Sequence, residues 1–108
     1  MRIELVTHAR HLEIEAIASR AGANSVAIER DMFHPEDARA LHAAEIAVRV
    51  TIPQPAVIAK RRRLGLDLEA KLAPALAEGL IDIVAGDDVT FLRGWVERHV
   101  AAPAPRPW

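Results

Sequence analysis

Residues 46–52, Ile-Ala-Val-Arg-Val-Thr-Ile, alternate strongly apolar and smaller or polar side chains and then run into Pro53 and Pro55. A period of two places Ile46, Val48, Val50 and Ile52 on one face of a strand, whereas a helix would scatter them around its axis. Their β-branched side chains suit a pleated surface. A strand with one strongly apolar face has to pair and be covered. This requirement limits the possible folds more than anything else in the chain.

The flanking segments read as short elements. Residues 2–6 are a short strand or the lead-in to a helix. A helix is expected from His8 to about Ala21, capped by Thr7, with Ile14, Ile17, Ala18 and Ala21 as its apolar stripe and Gly22 just past its end. Val26 and Ile28 share one face of a possible strand at 24–30. His34-Pro35 opens a helix to about Glu45, with Glu36 and Asp37 at the favourable end of its dipole. Pro55 starts a helix to Arg63, and Leu64-Gly65-Leu66 is a turn. Asp67 caps a helix over 68–79 that Pro74 should kink, striped by Leu68, Leu72, Ala75, Leu76 and Leu80. Residues 80–84 read equally as a helix tail or a strand. Asp88 caps a last helix bearing Leu92, Trp95, Val96 and His99. The expectation is an α+β fold, mainly helical, with four or five helices and strand 46–52. It forms one compact domain over 1–101 with a flexible proline-rich tail over 102–108.

Composition excludes several classes. The chain has 108 residues and no cysteine, so disulfides, thiolate metal sites and cysteine nucleophiles are absent. With 51% hydrophobic residues it can build a core, and with 4% aromatics that core is mostly aliphatic. No run is long enough for a membrane span, and the charged N-terminus has no apolar signal core, so a cytoplasmic location is expected. The net charge of −1 means that any nucleic-acid contact depends on a local patch. Basic residues are nearly all arginine, which suggests a GC-rich bacterial genome.

One local patch stands out. Residues 46–80 run strand, proline, short helix, Leu-Gly turn, capped helix, with Lys60-Arg61-Arg62-Arg63 closing the short helix. This order resembles the ribbon-helix-helix fold of small bacterial repressors and antitoxins. The resemblance implies a homodimer whose paired strands enter the DNA major groove. Ile46, Val48, Val50 and Ile52 would then cover the dimer core. Arg49 and Thr51 would meet base edges, and Lys60, Arg61, Arg62 and Arg63 would meet phosphates. An ordinary sheet strand followed by two surface helices is the other reading of the same residues.

The histidines offer a different chemistry. His8, His11 and Glu15 fall on one helical face, and His42 and Glu45 form a second pair at helical spacing. Two helices offering histidine and carboxylate can hold a metal. Surface histidines explain the same pattern, and no bound metal or other cofactor is expected. The chain has no phosphate loop, nucleophile elbow or HExxH motif, and no enzyme is expected.

The leading expectation is therefore a non-enzymatic, dimeric, DNA-binding regulator or antitoxin-like module. The alternatives are an adaptor or inhibitor that binds a protein through the C-terminal helix and tail, and a helical metal-binding protein.

Overall fold

A computed structural model of the chain describes residues 3–7 and 11–99, with Thr7 through its backbone only. Among the described residues, four strands and five α-helices follow one another: β1 (Glu4–Thr7), α1 (Ile14–Ala21), β2 (Ser25–Glu29), α2 (Pro35–Ala43), β3 (Ala47–Thr51), α3 (Pro55–Arg63), α4 (Leu68–Ala77), β4 (Ile83–Ala85) and α5 (Val89–His99). A 3₁₀ turn, Arg30–Met32, leads from β2 towards α2. The strands form one sheet in the order β1-β2-β3-β4, and every pairing is parallel.

The expected α+β class and ribbon-helix-helix core are thus overturned. The fold is α/β with a four-stranded parallel sheet. The strand at 46–52 exists as β3, and its even-numbered face is buried as expected. Its partners, however, are β2 and β4 of its own chain. An intermolecular ribbon needs a free edge on that strand, and both edges of β3 are taken. The deciding partner, β4, lies in the segment whose short pattern suited helix and strand equally.

Strand order that follows chain order has a physical consequence. Right-handed crossovers between successive neighbours all return on the same side of the sheet. Burial agrees: Val26, Ile28, Val48 and Val50 are buried, and Leu5 and Val84 in register with them pack against the same core. Along that side α1 packs on α2, and α4 on both α3 and α5. The core is filled by Ile14, Ala18, Phe33, Leu41, Ile58, Leu72, Leu76 and Trp95. The opposite side carries Glu4, Val6, Ser25, Ala27, Glu29, Ala47, Arg49, Thr51, Ile83 and Ala85, none of them buried.

Local chemistry fixes the element ends. The backbone at Gly22 is left-handed, and its N–H closes α1 on Ser19. The helix itself starts at Ile14 rather than His8, and Thr7 belongs to β1 instead of capping α1. Pro35 and Pro55 stand in the first turns of α2 and α3. Asp67 accepts the Ala70 N–H and Asp88 the Phe91 N–H, each capping its helix. Helix α4 runs through Pro74. The proline-rich tail over 102–108 lies outside the described residues. Among the described residues, no helix is long and apolar enough to cross a membrane.

Candidate functional site

In a parallel sheet the loops from the carboxyl ends of the strands into the helices gather along one rim, and such loops commonly carry functional residues. Here the loop after β1 supplies His11, and the segment from β2 into α2 supplies His34, Glu36 and Asp37. His11, His34 and Glu36 each offer a ligand atom, and these atoms all lie within 4.8 Å of one another. The His11 and His34 rings stack with centroids 3.9 Å apart.

Beneath this exposed cluster lies Asp37, the only charged residue among the described ones that is fully buried, at 2% exposure. Its two oxygens are both used. Oδ2 lies 2.9 Å from His11 Nδ1, and Oδ1 accepts the Leu12 N–H at 2.9 Å. A contact to the carboxylate through Nδ1 leaves Nε2 as the ring nitrogen directed away from Asp37. This is the arrangement in which outer carboxylates orient metal-ligating histidines. Leu12 adopts φ 72°, a left-handed conformation that costs a bulky side chain energy. The Leu12 N–H bond to Asp37 is one return on that strain, and such strain is concentrated at functional sites.

Two imidazole nitrogens and one carboxylate make a mixed donor set suited to zinc or ferrous iron, with coordination positions left open. Tetrahedral ligands about 2 Å from an ion lie about 3.4 Å apart. His34 and Glu36 are exposed, so rotation of those two side chains can bring their ligand atoms that close to His11. Further along the same rim, an open cleft of about 500 Å³ is lined by Gln54 and Pro55 from the start of α3 and by Asp87, Asp88 and Thr90 from the start of α5.

The sequence-level metal candidates fare differently. His11 is part of the cluster, but as a loop residue rather than a helical one. His8 lies outside the described residues. Glu15, on α1, accepts a hydrogen bond from Ser19 Oγ at 2.7 Å. His42 stands near the opposite end of the sheet, 2.6 Å from Asp82 Oδ2, which also accepts the Val48 N–H. Glu45 follows α2 with φ 60°, and its N–H bonds the His42 carbonyl at 3.0 Å. His34, Glu36 and Asp37 were missed as a site because His-Pro-Glu-Asp reads fully as a helix start. A detectable signal was there: a histidine stands shortly after each of the first two strands.

The proposed DNA-contacting residues are not gathered on one surface. Arg49 lies on the open side of the central strand β3 and pairs with Glu4 at 3.1 Å, and Thr51 is on the same side. Lys60, Arg61, Arg62 and Arg63 form the last turn of α3. Arg61 binds Asp31 at 2.7 Å, and its guanidinium holds the Asp31 carboxyl below the usual range. Arg62 is 3.7 Å from Asp67 and 3.9 Å from Glu69. Arg98, hydrogen-bonded to Glu69 at 2.8 Å, lowers that carboxyl in the same way.

No known protein family, curated protein or solved structure matches this chain.

Proposed function

We propose that this chain is a divalent-metal-binding α/β protein that holds a zinc-class ion through His11, His34 and Glu36. The observation that carries this reading is Asp37. A buried carboxylate that orients one exposed histidine and ties down the strained residue beside it is built for more than packing. A bound ion would supply Lewis acidity at the carboxyl rim of the sheet. A cytoplasmic location goes with this reading, and the absence of cysteine is compatible with it. The nucleic-acid reading has less support: two of the four cations of the basic run face carboxylates of this chain, and Arg49 is engaged by Glu4.

The test is calorimetric titration of the metal-free full chain with zinc. The expected result is one ion per chain, with binding lost in His34→Ala and in Glu36→Ala. If wild type takes up no ion, or if a His11→Ala/His34→Ala/Glu36→Ala variant binds as wild type does, the reading is wrong.

A further inference from the structure

All-parallel sheets occur almost exclusively with both faces covered. Among the described residues, this one has helices on one side only. Its open side offers mainly small or apolar side chains, with Val6 70% and Ile83 39% exposed. Arg49 crosses this face to Glu4, and its Nε is shielded from solvent without a hydrogen-bond partner. Among the described residues, the outer edges of β1 and β4 are also unpaired, leaving rows of backbone donors and acceptors free.

We propose that two copies of this chain close their open faces together into an eight-stranded parallel barrel, β4 of each pairing with β1 of the other. A second copy is the occupant because it fits both needs at once. A two-fold axis parallel to the strands preserves strand direction, so every new pairing is parallel like the existing ones. The same operation brings β4 to β1 twice and leaves no edge. Strand order equal to chain order with helices on one side is the order of a barrel wall with its helices outside. Eight strands enclose an interior that side chains alone can fill. Ala27, Ala47 and Ala85 would leave room there for the Arg49–Glu4 pairs of both copies. The axis also places both carboxyl rims at one end, so the two His11, His34 and Glu36 clusters would border a single mouth. The proposal does not depend on the metal reading.

The experiment measures the mass of the full chain in solution across micromolar concentrations, with a chelator present so that no metal bridges copies. Hydrogen exchange of β1 and β4 is followed in parallel. Wild type is expected at about twice the 11.8 kDa chain mass, with slow exchange in both edge strands. Val6→Lys and, separately, Ile83→Glu place charge on the face that closes, at positions a lone chain exposes. Both variants are expected to be monomeric, with unchanged circular dichroism and faster exchange in the edge strands. A monomeric wild type overturns the proposal. So does a dimer that survives both substitutions, or one in which β1 and β4 exchange as fast as in the monomeric variants.

Discussion

Asp37 accepts from His11 Nδ1 at 2.9 Å across the gap between the loop after β1 and the first turn of α2. The contact joins a buried carboxylate to an exposed ring and, with the stacking on His34, fixes the orientation of that ring. Removing the charge of Asp37 while keeping its shape therefore separates orientation from fold. Asp37→Asn is expected to weaken zinc binding by about 10–100-fold, the usual cost of losing an outer-shell partner. Calorimetry gives the affinity and circular dichroism reports the fold. Unchanged affinity would mean that Asp37 does not act on the metal through His11.

Leu12 has its backbone in the left-handed region at φ 72° and its side chain 72% exposed. Little packing is lost by truncating it, and glycine adopts this conformation without steric cost. Leu12→Gly is expected to leave stability unchanged or to raise it by up to about 1 kcal/mol, despite the added freedom of the unfolded chain. Thermal unfolding measures it, and a drop of several degrees would show that the Leu12 side chain has a packing role.

Gly86 follows β4, where an added Cβ would stand 2.8 Å from the Ile52 carbonyl oxygen and 3.2 Å from the Leu92 side chain. The backbone oxygen cannot swing aside as a flexible side chain can. Gly86→Ala is expected to destabilise the chain by about 1–3 kcal/mol, the range for overpacking. A denaturant midpoint equal to that of wild type would contradict this close approach.

Trp95 is buried to 1% exposure between Phe91, with centroids 6.1 Å apart, and His99, which meets its ring edge-on at 6.4 Å. Trp95→Ala is expected to cost about 3–5 kcal/mol. Leu92 is only partly buried, so Leu92→Ala should cost less. Equal midpoints for the two variants would mean that α5 is not anchored through its tryptophan.

Acid should weaken the fold through Asp31 and Glu69. Arg61 lowers the first carboxyl and Arg98 the second, so each gains charge more readily folded than unfolded. The contribution of each is therefore full above the unfolded value and fades as pH falls through the lower, folded one. Both pairs are partly exposed, so the effect is small and screened by salt. An Asp31→Asn/Glu69→Gln double variant should lose less stability between pH 5 and about 3 than wild type does. Identical acid limbs would show that other carboxylates govern this range.

The local elements were legible in the chain. Alternation at 46–52 marked β3, the spacing of Leu68, Leu72 and Leu76 marked α4, and Asp67, Asp88, Pro35, Pro55 and Gly22 marked helix ends. These signals act within a few residues, through backbone sterics, capping and side-chain period. Pairing is decided elsewhere. Residues 83–85 are too short to show a period, yet β4 supplies the second neighbour that makes β3 a central strand instead of half of a shared ribbon. The candidate site depended on pairing in the same way. His11 and His34 are far apart in sequence, and His34 to Asp37 are fully explained locally as a helix start. Only the parallel register of β1 and β2 brings both loops to one rim and sets His11 over a carboxylate buried by the packing of the helices.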